Sequence, residues 1–490
     1  MNSTALLHRP RFLQRVTERR EPWDLAIIGG GATGMGIALD AVTRAYSVVL
    51  LEQHDFGKGT SSRSTKLVHG GVRYLQQGNV SLVMEALKER GMLLQNAPHL
   101  VHDQQFIVPN YEWWETPFYG IGMKVYDLLA GKYGFGPSQI LSREEVLARI
   151  PTLSQDGLRG GVKYHDGQFD DARLLIDLAS TAAEHGACLL NYAKVTGLAK
   201  DADGFINGLT FRDEETGKSH PLAARCVINA TGPFCDGLRK IDDPAARAMI
   251  APSQGVHLVL PREFLPGDTA IMVPHTRDGR VMFAIPWHGH AVVGTTDTAI
   301  AEPTLEPLPQ SEEIDFILET ASGYLARPPT RADILSVFTG IRPLVKASDV
   351  SGTAALSRDH TIEISGSGLM TIAGGKWTTY RKMAEDAVDH AIVLGRLDER
   401  ACVTRNLRIR NPGGHEDSGA WYARHEMART VEDVLARRTR LLFLNTQAAL
   451  EKAPQVAREL ARELGRDETW QRTQLAEFAR VASHFIPPRS

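Results

Sequence analysis

Residues 23–52, WDLAIIGGGATGMGIALDAVTRAYSVVLLE, constrain the architecture of this chain more than any other stretch. An apolar run ends in Gly29-Gly30-Gly31-Ala32-Thr33-Gly34. Small and aliphatic residues follow at helical spacing, and a second apolar run closes on Glu52. This pattern predicts strand, glycine turn, helix and strand, a βαβ unit. Each glycine of GxGxxG has a physical reason. Gly29 permits the tight turn, Gly31 lets backbone approach a pyrophosphate, and Gly34 lets helix and strand pack closely. Ala32 and Thr33 open the helix, whose unpaired N–H groups and positive end suit phosphate. Glu52, 18 residues beyond Gly34, stands where an acid accepts ribose hydroxyls. The unit specifies a dinucleotide without separating NAD from FAD.

The stretch GTSSRSTKLVHGGVRYL (59–75), just after the second strand, favours the longer of the two. Thr60, Ser61, Ser62, Ser64 and Lys66 supply hydroxyls and a cation for a pyrophosphate and ribityl chain. Gly70-Gly71 would let the backbone pass close to an isoalloxazine, where a Cβ would clash. CVINATGP (226–233) is an apolar strand ending at Ala230-Thr231-Gly232, a small-residue approach to the same ligand. AGGKWTTYRK (373–382) places Gly374-Gly375 before a helix whose positive end stabilises negative charge on a reduced flavin. Together these stretches predict FAD.

The remaining chain divides by pattern. An α/β, Rossmann-like FAD-binding domain is expected over 22–103, 166–251 and 335–398. A β-rich substrate domain interrupts it at 104–165 and 252–334, and an abbreviated helical domain occupies 399–490. A net charge of −3 supplies no field to gather nucleic acid, and no nucleic-acid partner is expected. The four cysteines, Cys188, Cys226, Cys235 and Cys402, form no CxxC pair, which fits a reducing compartment. No apolar run approaches the ~18 residues that span a bilayer. A cytoplasmic protein is therefore expected, with peripheral contact with the cytoplasmic membrane as an option. The arginines at 9, 11, 15, 19 and 20 read as a solvated arm. HExxH, GxSxG and clustered carboxylates are missing, so metal or acyl-transfer chemistry has no support and no metal site is expected.

The motifs IIGGGATGMGIALDA, GTSSRSTKLVHGGVRYL, YHDGQFDDARL, INATGP, VVGTTDT, FTGIRPL and GGKWTTYRKMAEDA resemble those of FAD-dependent glycerol-3-phosphate dehydrogenases. That family lies within the D-amino-acid-oxidase-like flavoenzymes. The likeness runs over about 22–395, and EMARTVEDVLARRTR (426–440) shares it. KLVHGGVRYL together with GGKWTTYRK separates this family from sarcosine, glycine and D-amino-acid oxidases. Between NPGG (411–414) and EMARTVEDVL the connection is shorter than the family's usual helical segment.

The resemblance implies non-covalent FAD and oxidation of sn-glycerol 3-phosphate to dihydroxyacetone phosphate, with hydride transfer to flavin N5. It adds Leu67, His69, Gly375, Lys376, Trp377 and Thr378 to the cofactor residues. It implies Arg73 and Arg342 for the phosphate, whose oxygens match the guanidinium fork. It implies Lys376 for holding the substrate or polarising the developing carbonyl oxygen, and Tyr74 for a further hydrogen bond. His69 and His257 are both candidates for the base. Asp297 is expected to orient a neighbour. The acceptor, quinone or oxygen, stays open, as does the oligomeric state. The alternatives are a related flavoenzyme acting on another hydroxy acid or amine, and a non-catalytic flavin-binding protein.

Overall fold

A computed structural model describes residues 6–71, 79–274, 276–277, 279–346, 360–413 and 416–488. The strands Cys188–Leu190, Val48–Leu51, Trp23–Ile28, Ser219–Asn229 and Met370–Gly374 lie parallel in that order, with His360–Ile364 antiparallel at the edge. Their near-continuous apolar sequences are those of strands covered on both faces. The helix Ala32–Thr43 packs between Asp171–Glu184 and Tyr380–Leu394. At Gly36 a Cβ would come within 2.9 Å of the Tyr380 ring, so the helices Ala32–Thr43 and Tyr380–Leu394 meet almost backbone to side chain. Ser219–Asn229 also carries an antiparallel meander, Ile206–Asp213 and Ala193–Lys200.

Among the described residues the second sheet has ten strands, including Val101–Asn110, Gly160–Phe169, Ile250–Pro261, Met282–Trp287 and His290–Gly294. The sequence reading of the domain boundaries is corrected here. Ser336–Val345, assigned above to the cofactor domain, runs antiparallel to Ile250–Pro261 from Ile250↔Val345 to Val259↔Ser336. Leu67–Val68 joins the same sheet beside Gly160–Phe169. A strand's partner decides its sheet, and the local pattern does not name the partner.

The C-terminal helices share the core of this sheet. Phe443 packs on Phe338 and on Phe485 at ring separations of 5.1 Å in both cases. The N-terminal arginines belong to a packed segment and not to a free arm, although Arg11, Arg15 and Arg20 are exposed. Arg9–Glu18 is a helix with Pro10 in its first turn, where no N–H is needed. It buries Phe12 and Val16 one turn apart, and Arg9 reaches the buried Asp213 at 2.5 Å. Arg15 and Arg19 lie over Trp23.

A helix over Glu115–Ala130 was not legible in the sequence, where Pro117, Gly120 and Gly122 break the pattern. Tertiary packing overrides that weak propensity. Tyr119, Met123 and Tyr126 are buried at helical spacing, while Phe118, Ile121, Val125 and Leu128 are exposed on the other side.

Candidate active site

The glycine turn is shaped as the sequence predicts. Gly29 has φ +110°, and a Cβ there would lie 2.6 Å from the Ala230 carbonyl oxygen. A Cβ on Gly34 would strike the Gly29 carbonyl oxygen. Ser61 Oγ accepts from the Ala32 N–H at 2.9 Å, so the segment after the second strand folds back onto the helix N-terminus. Glu52 accepts from the N–H groups of Gly30 (2.7 Å) and His54 (2.9 Å). Burial raises its carboxyl pKa, and these two donors oppose the rise.

A cleft opens beside this turn. Among the expected cofactor residues it is lined by Gly29, Gly31, Ala32, Thr33, Glu52, Thr60, Ser61, Ala230, Thr231, Gly232, Gly375, Lys376 and Trp377. Small residues, hydroxyls and a helix N-terminus in one cleft fit a dinucleotide. At Gly31 a Cβ would narrow the space to 3.1 Å from Ser61 Oγ. Trp377 Nε1 donates to the Ser61 carbonyl at 2.8 Å, tying the two lining segments together.

A second cavity shares Thr60, Pro343, Gly374, Gly375, Lys376 and Trp377 with the first, so the two are continuous. It adds Ser64, Leu67, His69, His257, Arg342 and Thr378, all expected above, together with Arg63 and Thr65. Thr378 Oγ1 accepts from the His69 N–H at 3.2 Å. His257 and Arg342 come from adjacent strands in the register Ser253↔Arg342 and His257↔Phe338. Among the described residues Arg342 Nη1 donates to Gln254 O (3.1 Å) and Asp297 Oδ1 (3.2 Å), and Nη2 to Thr296 O (2.7 Å) and Thr295 Oγ1 (3.2 Å). Asp297 therefore orients a neighbour. His257 is buried and stacked on Phe338 at 4.7 Å and 12°, with Nε2 2.9 Å from Thr65 Oγ1. Burial, followed by the charges of Lys66 and Arg342, pushes its pKa well below the ordinary histidine value.

Five expected cofactor residues line neither cavity. Gly34 acts in helix–strand packing. Ser62 is buried, its hydroxyl 3.5 Å from the Gly59 carbonyl. Lys66 is fully buried, with Nζ on Asp171 (2.7 Å) and on the Ser62 carbonyl (2.8 Å). It is also ringed by Trp287, Phe338 and Phe443 at 5.0–5.2 Å. Burial pulls its pKa down to about 7, against the pull of Asp171. Lys66 is thus a core ion, not a phosphate ligand. Gly70 donates its N–H to Tyr126 Oη at 2.9 Å, and a Cβ there would strike Tyr126 and Leu87. Gly71 takes φ +79° in the same turn. Ser64 lines the second cavity, with its hydroxyl on Asp171 at 2.7 Å. Arg73 and Tyr74 lie outside the described residues. Sequence reasoning missed Thr65, Arg63 and Lys58; the first two sit inside the stretch singled out, but nothing local distinguishes them from their neighbours.

Comparison with known proteins agrees with this geometry. Residues 24–381 match the family described as FAD dependent oxidoreductase, and residues 416–471 match the C-terminal domain of alpha-glycerophosphate oxidase. The chain is 41% identical to a protein of Caenorhabditis elegans named probable mitochondrial glycerol-3-phosphate dehydrogenase, over 96% of this chain and 74% of that one. It is 40% identical to the Arabidopsis thaliana protein named mitochondrial glycerol-3-phosphate dehydrogenase SDP6, over 93% and 85%. The crystal structure of a Bacillus halodurans glycerol-3-phosphate dehydrogenase complexed with FAD superposes with a TM-score of 0.80 at 28% identity, covering 99% of both chains.

Proposed function

We propose, with the chain's membership of the FAD-dependent glycerol-3-phosphate dehydrogenases as premise, that His257, Arg342 and Lys376 carry out its oxidation of sn-glycerol 3-phosphate to dihydroxyacetone phosphate. FAD, which Gly29, Gly31, Glu52, Thr60, Ser61, Gly375 and Trp377 would hold in the dinucleotide cleft, would supply the two-electron acceptor for the C2 hydride. The chain's own residues have three tasks: to hold the phosphate, to take the hydroxyl proton and to keep the reacting carbon beside the cofactor.

His257 takes the proton. Its depressed pKa keeps it neutral at physiological pH, as a base must be. The Phe338 stack fixes the ring plane. Thr65 Oγ1, from another residue that lines the cavity, lies at Nε2, while Nδ1 is buried without a hydrogen-bond partner among the described residues, so the proton is taken at the Nε2 edge of the ring.

Arg342 binds the phosphate. Its contacts to Asp297 and Thr295 at 3.2 Å are the ones a phosphate displaces, while the Thr296 carbonyl at 2.7 Å keeps the fork aimed. Lys376 lines both cavities and meets the substrate oxygen at their junction. The observation that carries this reading is the convergence of Arg342, Lys376, His69 and His257 on a cavity continuous with the dinucleotide cleft. Anaerobic mixing with glycerol 3-phosphate should bleach the flavin, and glycerol should not. Equal bleaching by both would remove the phosphate site.

For the acceptor we assign a quinone reached through peripheral contact with a membrane. Phe118, Ile121 and Leu128 on the helix Glu115–Ala130 are 51–80% exposed, a surface suited to lipid. No helix among the described residues is long and apolar enough to cross a membrane. Flotation with vesicles and reduction of a soluble quinone analogue test this. Rapid oxygen consumption without quinone would move the assignment to oxygen.

A further inference from the structure

The chemistry above leaves unused a set of ions buried between the cofactor segment 52–66 and the C-terminal segment 426–440. The cofactor segment contributes Lys58, Thr60 and Ser61 to the dinucleotide cleft and Thr65 to the substrate cavity. Its fixed points come from far along the chain. Asp55, fully buried, receives Arg437 Nε at 2.6 Å and Arg438 Nη1 at 2.8 Å. Lys58 pairs with Glu432 at 2.5 Å. The Ser62 carbonyl receives Arg440 Nη2 at 2.9 Å, and the same group bonds Asp171 at 2.9 Å.

The local backbone explains how successive arginines reach one carboxylate. Asp433–Arg438 is a π-helical turn, whose wider winding changes the facing of neighbouring side chains. Each cation also has a second acid: Glu432 and Asp433 for Arg437, Glu426 for Arg438. Burial raises the Asp55 carboxyl pKa, but Arg438 and Arg437 together hold it below the ordinary value. Buried ion networks of this kind are poor stabilisers, since apolar residues of equal volume do as well or better. What they supply is a fixed geometry, here at the two ends of the loop that lines both cavities.

We propose that residues 432–440 are a clamp that positions the 52–66 loop for FAD, so that docking of the C-terminal segment and binding of the cofactor are coupled. The proposal rests on the FAD reading given above. Coupling is reciprocal. If the docked segment tightens FAD binding, FAD must tighten the docked segment by the same factor. Arg437, Arg438 and Arg440 are positioning residues, because they act through Asp55 and the Ser62 carbonyl rather than on the ligand.

The test begins with wild-type apoprotein. Hydrogen exchange over residues 426–440 should slow about tenfold or more when FAD is added, alongside the protection of residues 29–34. Protection of the glycine turn with unchanged exchange over 426–440 would overturn the clamp. FAD titration of the Arg438→Gln and Arg438→Lys apoproteins, with their thermal unfolding measured in parallel, is the second arm. Arg438→Gln should raise the Kd about tenfold or more, the loss of a charge-assisted contact, and Arg438→Lys should restore part of it. A variant with a lowered Tm but wild-type Kd would show a role in stability alone and would also sink the proposal. If Arg438→Gln does not fold, the wild-type exchange experiment decides.

Discussion

Thr65 Oγ1 stands 2.9 Å from His257 Nε2, which joins the loop lining the dinucleotide cleft to the strand pair that carries Arg342. His257→Gln should lower kcat by ~10²–10⁴, the usual loss when a positioned base is removed. Flavin content should stay at the wild-type level, because His257 lines only the substrate cavity. Thr65→Val removes one neutral hydrogen bond, about 0.5–1.5 kcal/mol, and should cost roughly 2–12-fold in kcat. Wild-type kcat in His257→Gln would transfer the base to His69.

The pH dependence follows from the same burial. A base works while unprotonated, and His257 is held neutral well below the ordinary value by burial, Lys66 and Arg342. As pH falls through about 6.5, the pKa of an unperturbed histidine, kcat should therefore stay level, and decline only further down. A half-maximal point near 6.5 in the kcat profile would mean that the base is a solvated histidine instead.

Arg342→Lys should lower kcat/KM about 10–150-fold while FAD is retained. One ammonium cannot satisfy Gln254, Thr295, Thr296 and Asp297 around a planar fork and still meet a phosphate. The range corresponds to losing a charge-assisted contact of about 1.5–3 kcal/mol. Steady-state kinetics with glycerol 3-phosphate give the answer, and an unchanged kcat/KM would take Arg342 out of the site.

The sequence disclosed most where a residue's identity encodes backbone shape. At Gly29 and Gly34 a Cβ would run into backbone, and at Gly31 it would narrow the cleft, so the turn and its ligand were readable in six residues. It disclosed less where a side chain's partner decides its role. Lys66 among serines and threonines looks the same whether it faces a phosphate or Asp171, which lies 105 positions away. Ser336–Val345 likewise reads as a strand, but its sheet is set by its pairing with Ile250–Pro261. Arg437 and Arg438 of ARRTR gave no sign that they meet Asp55, because ion pairs of long sequence separation leave no local pattern.

His54 should make the protein acid-sensitive. Burial, then Lys58, lowers its pKa from 6.5 to about 4. Between those values the unfolded chain binds a proton that the folded chain refuses, so stability is present above pH 6.5 and falls as pH drops toward 4. One such group contributes a slope of up to about 1.4 kcal/mol per pH unit. His54→Gln should flatten the decline by that amount in urea unfolding at pH 7, 6 and 5 with FAD saturating. Parallel declines in the two proteins would count against a half-buried, neutral His54.

Gly34→Ala tests the turn itself, and the sign of its effect separates two physical terms. In an exposed helix alanine is favoured over glycine by about 1 kcal/mol. Here the added Cβ would run into the Gly29 carbonyl oxygen, which is backbone and cannot rotate away. Relief requires the helix to back away from the strand Trp23–Ile28, and overpacking of this kind costs about 1–3 kcal/mol. The movement would carry with it the Ala32 N–H that Ser61 caps, and with it the phosphate-facing end of the helix. The clash should win, with a lower Tm for the apoprotein and an FAD Kd raised about tenfold or more. Flavin-to-protein ratio after purification and FAD titration of the apoprotein measure both effects. A variant that binds FAD as wild type does, with an equal or higher Tm, would show that the turn opens without strain, and that Gly34 is not what brings the helix end to the cofactor.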